Sequence, residues 1–302
     1  MISVIIPVSD PKYFENHKTL LKYKEINEVI ILDSSLSLGN IEDRVNGKRV
    51  LVLQEDSFDH GSTRNKGASL AKGDILLFMT QDARPYGDNF AAEIISSIDD
   101  QVKAVYGKHV VGDDQNIFEK FEREFVYNDN IVTKSWKSKL KFEDIFVSNV
   151  CFAVEKKIFE LLGGFPENVI CSEELIISFK LLRSGYKVMY NPNLKVWHFH
   201  NESSLETFRR WFDVGVAFSK TPYVFSGFRR YALNIVISEL LFLIKNPDLV
   251  KNPNLMAEFF KRIILRFLAF EIGKRYKILN NFGIDIRNLS KNKSFWNRNI
   301  SL

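Results

Sequence analysis

The sequence predicts an α/β protein, with a mostly parallel central sheet flanked by helices and a C-terminal helical region. Three observations carry this. Short continuous runs of apolar and β-branched residues recur before residue 204, the pattern of strands buried on both faces. Short helical segments separate them at the spacing of βαβ units. From Ser204 onward the apolar residues recur with a helical period instead. At 302 residues, 45% hydrophobic and 26% charged, the chain has an ordinary globular composition and ample core for one large domain or two smaller ones.

Ser3–Val8 is the first strand, and residues 15–25 are a polar, Lys-rich helix. Glu28–Leu32 is a second strand, ending at Asp33-Ser34-Ser35, and Arg49–Gln54 is a third. A polar turn carrying His60, Arg64 and Asn65 leads to a short small-residue helix, Gly67–Lys72. After the Gly73-Asp74 break comes the strand Ile75–Met79, which stops at Thr80-Gln81-Asp82. Ala91–Ile98 reads as a helix, Ala104–Val111 as a strand and Ile117–Asn128 as a charged helix. Val132–Phe142 is a polar loop of the kind that forms lids or disorder. Val147–Val154 is a strand, Lys156–Leu162 a helix stopped by Gly163-Gly164, and Ser172–Ser184 a helix with Glu173 and Glu174 in its first turn. Lys187–Tyr190 and Lys195–His200 are short strands. Helices follow over Leu205–Val216, Tyr231–Ile244 and Leu255–Lys277, and the last ~20 residues, polar and Asn-rich, are expected to fray.

Charge is distributed unevenly. From Leu205 onward there are 17 Lys and Arg against 7 Asp and Glu, or +10; the rest holds 25 against 30, or −5. A basic, Phe-rich last third fits an anionic membrane surface better than nucleic acid, for which no motif is present. The N-terminus enters a strand directly with no basic signal region, and no segment reaches the ~20 apolar residues of a membrane span. Cys151 and Cys171 lack metal-ligand spacing and read as buried thiols. The expected location is cytoplasmic, with access to the inner face of the cell membrane.

Several residues can carry chemistry. Asp33 lies at the C-terminal end of a strand, the ligand edge of such sheets, and a turn-forming Asp explains it equally well. In His60-Gly61-Ser62-Thr63-Arg64-Asn65 a helix-capping turn accounts for Ser62 and Thr63, whereas Arg64 can pair with phosphate. Asp82 at a strand end can bind Mg²⁺ or Mn²⁺ together with diphosphate oxygens, or be a solvated turn residue. Glu173 and Glu174 suit a helix N-terminus electrostatically and could also supply a general base. His198 and His200 alternate with Trp197 and Phe199 and share one strand face, able to bind metal or phosphate.

Together these residues resemble the glycosyltransferase family 2 enzymes of the GT-A fold, with a Rossmann-like sheet, and most of all their bacterial rhamnosyltransferase-like branch. The matching pieces are VIIPV (4–8), Asp33, FDHGSTRNKGA (58–68), AKGDILLFMTQDARP (71–85), SNVCFAV (148–154), GGFPE (163–167), SEELIISFKLLRSGYKVMYNP (172–192) and VWHFHNESSLETFRRWFDVG (196–215). The resemblance implies an inverting transfer from a nucleoside-diphosphate sugar, dTDP-rhamnose as the first choice, to a hydroxyl of a lipid-linked cell-surface polysaccharide. Pro7, Val8 and Asp33 would then line the nucleoside pocket. Arg64 and His60 would meet the diphosphate. Gln81 and Asp82 would occupy the metal motif, with Asp82 and His198 or His200 as ligands of Mg²⁺ or Mn²⁺. Glu174 would be the base, with Glu173 beside it. The implied domains are 1–204, with a donor-binding half to about 112 and an acceptor and base half over 113–204, and a basic amphipathic helical region over 205–302. Three positions depart from the family pattern: Thr80 stands where many relatives carry Asp, Glu174 replaces the commoner Asp, and Ser62 replaces Gly.

A non-catalytic nucleotide-sugar-binding or scaffold subunit is the rival class, supported by the changes at Thr80 and Glu174. A dinucleotide-dependent oxidoreductase is disfavoured, because no Gly-x-Gly-x-x-Gly follows the first strand.

Overall fold

Strand β1, Ile2–Val8, is buried at every position, as a strand must be when both sheet faces are covered. Its side chains alternate: Ile5 joins the core on one face, and Val4, Ile6 and Val8 join the other. The computed structural model describes residues 1–110, 112, 117–198 and 202–299. Strands β2 (Ile26–Asp33), β3 (Ile41–Val45), β4 (Lys48–Gln54) and β5 (Ile75–Met79) build the first half of the sheet around β1, with helix α1 (His60–Leu70) between β4 and β5. β6 (Arg84–Tyr86), α2 (Phe90–Ser97), β7 (Val102–Val110), α3 (Ile117–Val126), β8 (Val132–Lys134) and α4 (Phe142–Ile145) follow. Next come β9 (Cys151–Glu155), α5 (Lys156–Leu161), α6 (Glu173–Arg183) and β10 (Lys187–Trp197).

The sheet order is β3-β4-β2-β1-β5-β9-β7-β10-β6, with β8 on β10. β4, β2, β1 and β5 pair parallel. β9 runs antiparallel between β5 and β7, so β7, and with it β10, points the same way as β5. The direction is therefore mostly parallel, with β3, β6, β8 and β9 reversed.

Several expectations are corrected. A 3-10 helix over Pro11–Leu20 replaces the helix read over 15–25, because Asp10 caps it and Pro11 opens it. The strand read over Val147–Val154 starts only at Cys151. The segment read as a loop over 132–142 contains β8, whose Lys134 lies 4.8 Å over the Tyr106 ring. The two strands read over 187–200 are one, β10, with its register shifted between Asn191 and Lys195, around Pro192, where a ladder donor is missing.

The C-terminal helices are α7 (Ser204–Lys220), α8 (Phe228–Lys245), α9 (Pro247–Val250), α10 (Pro253–Lys274), α11 (Tyr276–Asn281) and α12 (Lys293–Asn299). Phe212, Phe228, Phe270, Phe295 and Trp296 belong to the same apolar core as β1 and α6. The expected fraying of the tail is therefore overturned up to Asn299. Buried Asp213 accepts hydrogen bonds from Ser290 Oγ and from the Lys291 and Asn292 amides. Phe295 and Trp296 are then sealed into the core.

Candidate active site

The sheet register assembles one edge. β1, β2 and β5 end there at Val8, Asp33 and Met79. β9 begins there, since Cys151 pairs with Met79, and so Ser148 and Asn149 lie beside the segment 80–82. β7 and β10 reach the same edge with His109 opposite Val196, and His198 follows directly. β6 pairs Arg84 with Trp197, which carries Asp82, two residues before Arg84, to His198.

His60, Arg64 and Asn65 are not in a turn, as expected, but inside α1. The helix starts earlier because Asp59, not Ser62 or Thr63, caps it, accepting from the Gly61 and Ser62 amides at 3.0 and 2.9 Å. Arg298 of α12 ion-pairs with Asp59 at 2.6 Å, so the tail braces the start of this helix. Gly61 is required by close approach: a Cβ there would lie 2.0 Å from the Pro166 carbonyl oxygen. Asn65 fastens the same contact, donating to the Phe165 carbonyl and accepting from its amide, each at 2.9 Å.

Arg64, expected at a diphosphate, is buried and bonded within the protein. One guanidinium nitrogen donates at 2.9 Å both to Glu173 Oε1 and to the His60 carbonyl. Asn149 Nδ2 donates to the same Glu173 oxygen at 2.9 Å and lies 3.5 Å from Glu174 Oε2. Burial by itself would push the Glu173 carboxyl up, but Arg64 and then His60 outweigh it and hold the group below its ordinary value. Glu174, which keeps partial access to solvent, moves the other way: the protein packed around it, and next the Glu173 charge, push it up to about 8. Adjacent carboxylates at one helix start are thereby split into a fixed anion and a group that exchanges its proton near pH 8. Ser172, just before them, has φ of 68°, a left-handed conformation unusual for serine. His60 lies edge-on to Phe58, and desolvation lowers its pKa.

Removing Arg64 should leave Glu173 as an unpaired buried anion. Arg64→Ala is expected to lose about 3–5 kcal/mol of stability, read from denaturant midpoints, whereas the double change with Glu173→Gln recovers part of the loss. Equal losses in the two variants would contradict the pairing.

At the other end of the edge, His198 Nε2 lies 3.6 Å from Asp82 Oδ1, with both side chains largely buried. His198 meets His109 edge-on at 5.1 Å, and His109 stacks on Tyr127 at 4.2 Å. Arg123 approaches His109 Nδ1 at 2.9 Å, and since Arg only donates, that nitrogen is the acceptor. Tyr127 is pushed up to about 12, by burial first, with Ser148 beside its hydroxyl. A continuous set of contacts thus joins Asp82 to the loop that carries Asn149. His200, the other expected ligand, lies outside the described residues.

A divalent cation fits this end. Asp82 and His198 offer one carboxylate oxygen and one imidazole nitrogen, and the hydroxyl of Thr80, two residues before Asp82, is buried with no hydrogen-bond partner among the described residues. Among the described residues no three His, Cys, Asp or Glu cluster as a metal cage, so further ligands would come from diphosphate oxygens and water, as for Mg²⁺ or Mn²⁺.

The other expected donor residues are turned to shaping loops. Both Asp33 oxygens are occupied, Oδ1 by Ser35 and Oδ2 by the Leu38 amide at 3.0 Å. Burial would raise its pKa, but these hydrogen bonds lower it. Gln81 Oε1 accepts from the Ser9 and Asp10 amides at 2.8 and 3.1 Å, clamping the loop after β1 to the loop after β5. Pro7 and Val8 are buried in β1 itself.

The model of the glycosyltransferase-like family 2 matches residues 3–240. The chain belongs to that family. It is a glycosyltransferase, and the non-catalytic reading falls away. Among curated proteins, the O-antigen chain rhamnosyltransferase WbaN of Salmonella anatum is 33% identical over 90% of this chain and 86% of its own length. RfbN of Salmonella typhimurium, another O-antigen chain rhamnosyltransferase, is 30% identical over 98% and 96%. Among solved structures, the mannosyltransferase PcManGT from Pyrobaculum calidifontis, in complex with GDP-Man and Mn²⁺, superposes with a TM-score of 0.58, 14% identity and coverage of 91% and 87%. TarS of S. aureus with UDP-GlcNAc superposes at 0.51, 14% identity, and 98% and 91% coverage. These likenesses show the GT-A fold expected from the sequence.

Proposed function

We propose that this glycosyltransferase moves a sugar, best read as L-rhamnose from dTDP-rhamnose, to a hydroxyl of a growing, lipid-linked cell-surface polysaccharide, with inversion at the anomeric carbon. The named activity of the two Salmonella relatives supports the sugar and the polysaccharide acceptor. The observation that carries the chemistry is the buried Arg64–Glu173 pair, bridged by Asn149 to Glu174.

In this reading, Glu174 takes the acceptor hydroxyl proton as the oxygen bonds to the anomeric carbon. The bond from that carbon to the diphosphate breaks, and its electron pair leaves with the diphosphate. Glu173 stays ionised, and its charge keeps Glu174 basic. Arg64 holds Glu173 in place of the expected phosphate contact, while His60 flanks the diphosphate. Pro7, Val8 and the loop folded by Asp33 form the nucleoside side, and Gln81 fixes the backbone there. Asp82 and His198 would hold Mg²⁺ or Mn²⁺, which when bound supplies positive charge to the diphosphate. Residues to about 112 would bind donor, and residues 113–204 would supply base and acceptor contacts. The basic region over 205–302 would face the anionic inner side of the membrane where a lipid-linked acceptor sits. A thermal-shift screen across nucleoside-diphosphate sugars tests the donor: dTDP-rhamnose should raise Tm most, and a larger shift with a uridine or guanosine donor would reassign it.

A further inference from the structure

α8 and α10 run antiparallel, each leaning on α3 through Phe121–Phe242 and Phe118–Phe259. Phe228 meets Phe270 at 5.5 Å, Arg229 pairs with Glu271, and at the opposite end Leu243 packs in one cluster with Phe259. Between these contacts α8 carries Leu233, Ile237 and Leu240, and α10 carries Phe260, Ile264 and Phe267. All six are exposed, by 45–63%. Both helices thus leave apolar side chains on the outside of the molecule, away from α3. The layer beneath is already closed by the Glu122 carboxylate, which pairs with Arg262 and Arg266.

The surroundings select the occupant. The segment 228–274 carries 8 Lys and Arg against 4 Asp and Glu; Arg230, Lys245, Lys251 and Lys261 are exposed, the last two paired with Asp248 and Glu258. A second copy would bring this net positive charge against itself, whereas an anionic surface complements it. Among the described residues no helix is long and apolar enough to cross a membrane, and exposed apolar side chains on helices with a net positive charge suit lying in the interfacial plane.

We infer that the outer face of α8 and α10 docks this chain on an anionic lipid bilayer, with the six apolar side chains entering the headgroup layer and the basic residues meeting lipid phosphates. The inference deepens the lipid-linked-acceptor reading. It is nonetheless tested with neither donor nor acceptor, so failure of the proposed transfer would leave it standing.

The full chain is sedimented with phosphatidylcholine vesicles with and without phosphatidylglycerol, and its mass in solution is measured by light scattering. Binding should need the anionic lipid, weaken as salt rises, and fall by about tenfold or more in the double variant Ile264→Glu, Phe267→Glu. Both side chains are half-exposed, so the variant's Tm should match the wild type. No binding to anionic vesicles, equal binding by the variant, or a wild-type dimer that the variant dissociates would each overturn the assignment.

Discussion

Glu174→Gln is expected to lower kcat by about 10²–10⁴-fold with little change in donor KM, the size typical of a lost general base. The substitution is nearly isosteric, so the neighbouring Asn149 contact at 3.5 Å and the Arg64–Glu173 pair should survive. Two pH effects accompany it. In the free wild-type enzyme, kcat/KM should rise along an acid limb centred near 8, where Glu174 loses its proton, far above the ordinary carboxylate value of 4.5. The same shift acts on folding. Because the folded-state value is raised, the stability contributed by protonated Glu174 is complete below 4.5 and is lost as pH rises through about 8. Gln has no proton to lose, so the variant should gain Tm over wild type as pH increases across that window. Full activity of the Gln variant, or an acid limb near 4.5, would remove Glu174 from the base role.

Asp82→Asn is the second large effect. The change keeps the side-chain shape beside His198 but removes the negative charge that would hold a cation at the end of β5. Turnover should fall by about 10²–10³-fold, on the scale of one lost electrostatic contact to the departing group. The response of initial rate to Mn²⁺ concentration should flatten or move to much higher metal. A variant with wild-type rate and an unchanged Mn²⁺ curve would place the metal elsewhere or make it dispensable.

The parts of this molecule legible in its sequence are those where local pattern and tertiary role agree. β1, β2, β4 and β5 are buried on both faces, so their apolar runs could not be mistaken. Asp82, His198 and Glu174 stand at the ends of such runs or at a helix start, where the sheet edge gathers ligand chemistry. What stayed hidden depends on pairing across the sheet. Asn149 sits at the site only because β9 reverses direction beside β5, and His109, Arg123 and Tyr127 meet only through β7 and α3. The polar side chain of Asn149 next to the strand in SNVCFAV was the available signal. β3 escaped because IEDRV is almost wholly exposed and carries no apolar alternation. Arg64 reads as a phosphate ligand in the sequence because its buried partner, Glu173, lies 109 residues away. The tail reads as frayed because its polar, Asn-rich average conceals Phe295 and Trp296, the two side chains that anchor it.

The proposed reaction is tested most directly by transfer itself: the full chain with dTDP-rhamnose and a lipid-linked saccharide acceptor, in Mn²⁺ or in EDTA, following dTDP release and the anomeric configuration of the product by NMR. Expected are dTDP release matched by acceptor glycosylation, inverted configuration, and strong suppression by EDTA. Product of retained configuration, or dTDP release that neither needs the acceptor nor yields a glycosylated product, would contradict it.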